Sequence, residues 1–62
     1  MDLNSAKSGE KFVTRSGEIV TFVKHHHINN HKVIQNQKGE TYLVTQFGSA
    51  MHLRNDLIKK ID

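Results

Sequence analysis

The chain has no cysteine, no proline and no tryptophan, and aromatic residues make up only 6% of its 62 positions. Without thiols it forms neither disulfides nor thiolate zinc sites, which fits a reducing compartment. No apolar run approaches the roughly 18 residues that a membrane span needs, and the opening "MDLNSAKSGE" lacks the apolar centre of a secretory leader. The expectation is a soluble cytoplasmic protein with no membrane partner. A dense basic tract is missing too. Nine Lys and Arg against six Asp and Glu leave a formal charge of +3, but the cations are scattered, with Lys59-Lys60 the one adjacent pair. That balance favours anionic partners without selecting one. A domain this short buries only about 60% of the surface its unfolded chain exposes. Regular packing, self-association or a metal held by imidazoles must supply what disulfides do not.

What is present reads as β-structure. Residues 1–9 mix Asp, Asn, Ser, Lys and Gly with little apolar content, so a flexible N-terminal arm is expected there, followed by one small domain over 10–62. "KFVTR" and "EIVTFVK" are rich in Val, Ile, Thr and Phe and flank Ser16-Gly17, a hairpin signal. With Ser16 and Gly17 as a two-residue turn, Val13 faces Val20 and Phe12 faces Thr21. Val13, Val20 and Phe22 then share the core side, and Phe12, Ile19, Thr21 and Val23 line the other.

The same pattern returns in "HKVIQN" and "ETYLVT", which flank Gln37-Lys38-Gly39. Gly39 suits the left-handed position of a longer turn carrying a bulge. Val33 and Leu43 should point one way, Ile34 and Tyr42 the other. Beyond a connection at Gly48-Ser49-Ala50, "NDLIKKI" reads as a helical turn capped by Asn55 or as a closing strand. A short turn at Asn55-Asp56-Leu57 followed by a strand over Ile58 to Ile61 is preferred. No repeat or low-complexity tract interrupts this plan. The fold class is mainly β: a small barrel or a strongly bent antiparallel meander of about four or five strands, with a short C-terminal turn.

The segments "FVTRSGEIVTFV", "HKVIQNQKGETYLVTQFGSAM" and "NDLIKKI", which cover most of residues 11–61, resemble small accessory proteins of phages and prophages. In those a Thr-Arg-x-Gly hairpin opens an SH3-like barrel and an Asp-Leu-Ile segment closes it. The resemblance implies that fold, a phage-like origin, and a place in a host cytoplasm. It departs at the histidine-bearing loop, where such proteins often have a shorter acidic one, so no binding residues are carried over.

Four histidines fall within seven positions, His25-His26-His27 and His31. In a strand His25 and His27 share a face, and His31 could join them across the connection as a three-imidazole metal site. No carboxylate lies within the loop to orient the rings, and Asn29-Asn30 marks a tight reversal. A proton-responsive loop and a plain polar connection are the other readings, and no cofactor is implied. Ser16, Ser49, His52 and Asp56 form no nucleophile or acid–base signature, and side chains fill a barrel this small, so the expected role is non-enzymatic.

Binding remains. One reading is a protein partner, a host or phage protein, held by an apolar second face of Phe12, Ile19, Val23 and Ile34 or by the segment from Phe47 to Leu53. A homodimer could bury the same face. The alternative is nucleic acid, with Phe12, Tyr42 or Phe47 stacking on bases while Lys11, Arg15, Lys24, Lys32 and Lys38 track phosphates. Arg54 completes the candidate surface set.

Overall fold

Three hairpin loops of one design organise the chain, which a computed structural model describes over residues 1–61. In the first, Thr14 N–H donates to Glu18 O (2.8 Å) and Gly17 N–H to Thr14 O (2.9 Å). Asn36, Gly39 and Glu40 repeat this pattern, as do Thr45, Gly48 and Ser49. Each loop therefore has three residues, ending on a glycine at φ 91, 84 and 87 respectively. That left-handed backbone is one glycine adopts freely. The first residue of each loop frame also bonds it through its side chain. Thr14 Oγ1 accepts from Glu18 N–H, Asn36 Oδ1 from Lys38 and Glu40 N–H, and Thr45 Oγ1 from Phe47 and Ser49 N–H.

The strands are β1 (Lys11–Thr14), β2 (Ile19–His25), β3 (Lys32–Gln35), β4 (Thr41–Val44) and β5 (Leu57–Ile61), with a 3-10 turn at Leu53–Asn55 before β5. They form one antiparallel sheet in the order β4-β3-β2-β1-β5. The mainly β meander is thus the observed architecture, with the turn at Leu53–Asn55 rather than at Asn55-Asp56-Leu57, and with Leu57 already in the closing strand. A single flat sheet would be about 10 Å thick, yet the extents are 27 × 23 × 22 Å. The sheet is strongly bent around its core of Leu3, Phe12, Val20, Phe22, Ile34, Val44 and Leu57.

The second hairpin has the expected register, Val33 opposite Leu43 and Ile34 opposite Tyr42. The first does not. Its loop is Arg15-Ser16-Gly17 rather than Ser16-Gly17, so Phe12 faces Val20 and Val13 faces Ile19. A slip of one residue exchanges the faces of a strand. Phe12, 3% exposed, turns into the core with Thr14, while Val13 joins Ile19 outside. The physical cause is Thr14, whose hydroxyl bonds within the loop and lengthens it.

Residues 1–9, expected as a flexible arm, lie against the sheet. Leu3, 1% exposed, is a core residue, and its N–H donates to Gln46 O (2.8 Å). Gly9 N–H donates to Phe22 O (2.8 Å), and His25 Nε2 lies 2.8 Å from Ala6 O. Met1 Sδ would lie 3.2 Å from a Cβ built on Gly48, so the segment reaches the loop after β4 as well. The sheet is open between β4 and β5, and one large apolar side chain, Leu3, suffices to seat residues 1–9 on the core that this opening would wet.

Candidate interaction surface

The surface candidates from the sequence end up in unlike places. Phe12 is core. Lys32 is 1% exposed and so is no phosphate contact. Its stem extends the core row beside Val44, and its Nζ donates to Asn30 Oδ1 (2.8 Å) and Asn4 Oδ1 (3.1 Å). Asn4 Nδ2 and Asn30 Nδ2 in turn donate to Gln46 Oε1. A cage of amides thus surrounds a buried ammonium and ties the N-terminal segment, the histidine loop and the β4 exit together. Tyr42 is half-buried and donates its hydroxyl to Asn55 O (3.2 Å). Burial, aided by the negative Glu18 and Asp56, pushes its phenol up to about 12.

Arg15, Lys38 and Arg54 are exposed at one end of the sheet, where Ser16 N–H donates to Arg54 O (3.2 Å) and Gln37 Nε2 to Ile19 O (3.2 Å). Carboxylates are interleaved with them. Arg15 pairs with Asp56 (3.4 Å), and Glu18 and Glu40 belong to the same loops. Lys11 donates to Thr21 Oγ1 (2.5 Å) on the outer face. Lys60 bonds Glu10 (3.1 Å), and the Lys7 N–H on its other oxygen, ahead of Lys60, holds the Glu10 carboxyl below the usual carboxylate range. Lys24 is exposed at the opposite end, beside the histidine loop.

That loop does not assemble the expected metal ligands. A bulge at Val23, between the Phe22–Ile34 and Lys24–Val33 pairs, shifts the alternation of β2. His25 consequently turns to the core side, edge-on to Phe22 at 4.9 Å, with Nε2 committed to Ala6 O. His26 stacks on His27 at 5.0 Å, and its Nδ1 accepts from Ile28 N–H (3.2 Å). Asn29 and Asn30, at φ 54 and 55, make the reversal back to His31. Among the described residues no three His, Asp or Glu side chains could hold one ion, so His25, His27 and His31 do not form a ligand set. Of the apolar face expected from Phe12, Ile19, Val23 and Ile34, Phe12 and Ile34 lie in the core, while Ile19, 44% exposed, and the half-buried Val23 lie outside it.

The other apolar candidate, Phe47 to Leu53, is exposed. Met51 is 92% and Leu53 72% open to solvent, Phe47 is exposed at the tip of the third loop, and Leu43 on the neighbouring strand is 44% open. Two shallow hollows meet here. One of about 310 Å³ is lined by Tyr42, Leu43, Ala50, Met51, His52 and Asn55. The second, of about 360 Å³, shares Leu43, Ala50 and Met51 and adds His31, Thr45 and Ser49. The floor is held from below, because Ala50 N–H donates to Asp56 Oδ1 (2.8 Å) and Val44 bridges to Ala50. Leu43 and Met51 form an apolar wall between the two hollows on a fixed base, a surface suited to taking up apolar side chains.

Sequence reasoning included the Phe47 to Leu53 segment but missed Leu43 as its neighbour. The signal was the third loop frame, Thr45-x-x-Gly48-Ser49, which matches Thr14-x-x-Gly17-Glu18 and Asn36-x-x-Gly39-Glu40 and folds residues 49–51 back on β4. Comparison with protein-family models, with curated proteins and with solved structures finds no match to this chain.

Proposed function

We propose that the chain is a non-catalytic interaction module that binds another protein through the Leu43–Met51–Leu53 surface. The observation that carries this reading is the exposure of Met51 at two hollows whose shared wall is Leu43 and Met51, with the exposed Leu53 two residues further along the chain. Fully burying a Leu or Met side chain contributes about 1.5–3 kcal/mol, so a few such contacts supply most of a micromolar interaction. The resemblance to phage accessory proteins adds the kind of target, a host protein that the module inhibits or modulates. The scattered cations steer the encounter.

The test is capture from bacterial lysate by the immobilised protein, run beside Met51→Asp and with and without nuclease. The expected result is a nuclease-resistant partner that Met51→Asp loses by roughly tenfold or more. The melting temperature should not move, since so exposed a position contributes little to stability. A partner retained equally by the variant removes the surface from the account. A partner released by nuclease replaces this reading with nucleic-acid binding.

A further inference from the structure

The loop between β2 and β3 contains a histidine whose hydrogen bonding requires the neutral ring. His26 Nδ1 accepts from Ile28 N–H (3.2 Å), which leaves the ring proton on Nε2. A second proton would set an N–H of the ring against the Ile28 N–H, donor against donor. His27, stacked on His26 at 5.0 Å, adds like charge once it is protonated as well. The reversal supported by the Ile28 bond is built from two left-handed asparagines in succession, Asn29 and Asn30 at φ 54 and 55, and each carries the conformational cost of that backbone.

Asn30 is also the loop's tie to the rest of the molecule. Its Oδ1 accepts from Lys32 Nζ (2.8 Å), and its Nδ2 donates to Asn4 Oδ1 (3.0 Å) and to Gln46 Oε1. We infer that the histidine loop is a proton-operated latch on the N-terminal segment: a proton taken up at His26 Nδ1 breaks the bond to Ile28, undoes the Asn29-Asn30 reversal and withdraws the Asn30 side chain from Asn4 and Gln46. On its own segment His26 is flanked by Lys24, His25 and His27. Across the reversal stand His31, whose carbonyl accepts from His26 N–H (2.8 Å), and Lys32. The N-terminal segment brings Lys7, next to the Ala6 carbonyl at His25, and Asp2, whose Oδ1 accepts from Asn4 N–H (2.9 Å). None of these is in an ion pair among the described residues. His25 responds differently, because its Nε2 lies 2.8 Å from Ala6 O and donates there in the neutral and the charged ring alike. Acid leaves that contact in place, so the segment opens from its Leu3 end and bares the seat of Leu3 between β4 and β5. The released loop binds a proton that the latched loop excludes, so latching is complete above the imidazole range and is lost as pH falls through it.

Amide exchange measured on the whole chain from about pH 7.5 to about pH 5 spans the uptake of a proton by imidazole. After correction for the intrinsic pH dependence of exchange, protection of the Ile28 and Leu3 amides should fall roughly tenfold over that interval. Protection of Phe22 N–H, which donates to Glu10 O, should stay constant. His26→Asn places a carbonyl two residues before the Ile28 N–H and removes the titrating group, an Asx turn in place of the imidazole bond, so its loop should stay latched at both ends of the range. His25→Gln should keep the native response. Leu3 and Ile28 protection that does not change with pH in the native chain overturns the latch. So does a response that persists in His26→Asn or disappears in His25→Gln. Nitrogen shifts of the native His26 ring test the premise without a variant: a proton already on Nδ1 at about pH 7.5, above the imidazole range, overturns it.

Discussion

Tyr42 serves the core and the surface at once, with its ring packed against the core cluster and its hydroxyl tied to Asn55 O. Its phenolate would have to form where burial and the charges of Glu18 and Asp56 oppose it, so the folded-state pKa rises from the ordinary 10.0 to about 12. A raised pKa gives stability that is complete below the unfolded value and lost as pH rises through the folded one. Unfolding free energy should therefore decline between pH 10.0 and about 12. Tyr42 is the only tyrosine and there is no tryptophan, so absorbance titration of phenolate reads this side chain alone. A midpoint near the ordinary value in the folded protein would show that the ring is not held as described. Lys32 shows a different solution to burial. Among the described residues its ammonium has no carboxylate partner, and the oxygens of Asn4 and Asn30 replace part of its lost hydration. Both amides are locked in turn by Gln46, so the buried charge depends on a connected set of polar groups.

At the scale of elements, the three loop frames share geometry but not surroundings, and that separates the effects of one substitution. A Cβ on Gly17 would meet nothing within 4 Å, so Gly17→Ala carries only the conformational cost of a left-handed residue, about 1 kcal/mol. On Gly48 the same Cβ would lie 3.0 Å from Leu57 O and 3.3 Å from Leu57 Cβ, contacts that backbone cannot easily yield. Gly48→Ala should therefore lower the denaturation midpoint clearly more than Gly17→Ala. Equal midpoints would mean that the third loop is not packed under β5. The strands themselves were legible, because runs of Val, Ile, Thr and Phe alternate between turn signals, and Gly39 placed the second hairpin in register. Ser16-Gly17 misled, since the same dipeptide suits a two-residue turn unless Thr14 is read as part of the loop. Leu3 was hidden by polar neighbours, and the bulge at Val23 leaves no mark in composition, yet it decides which way His25 faces. The burial of Lys32 was hidden for a further reason. It depends on amides at Asn4, Asn30 and Gln46, distant in sequence and brought together only by the fold.

For the whole molecule, the question is whether its positive charge forms a track for a polyanion. At the end bearing Arg15, Lys38 and Arg54, the carboxylates of Glu18, Glu40 and Asp56 stand among the cations. Lys32 is withdrawn into the core and Lys60 is paired with Glu10. The other end presents Lys24 beside the histidine loop, with Lys7 next to the Ala6 carbonyl that His25 engages. Of the candidate aromatics, Phe12 is in the core and Tyr42 is half-buried with its hydroxyl engaged, which leaves Phe47 as the open stacking surface. Each phosphate neutralised on a single strand contributes about −0.7 to the slope of log affinity against log salt. With Lys7 and Lys24 as the principal contacts, that slope should be no steeper than about −2, even allowing one further cation. Titration with a labelled oligonucleotide over a range of salt measures it. A slope of about −4 or beyond would require a continuous basic groove that this charge distribution does not contain, and would move the site from the Leu43–Met51 wall to the histidine end.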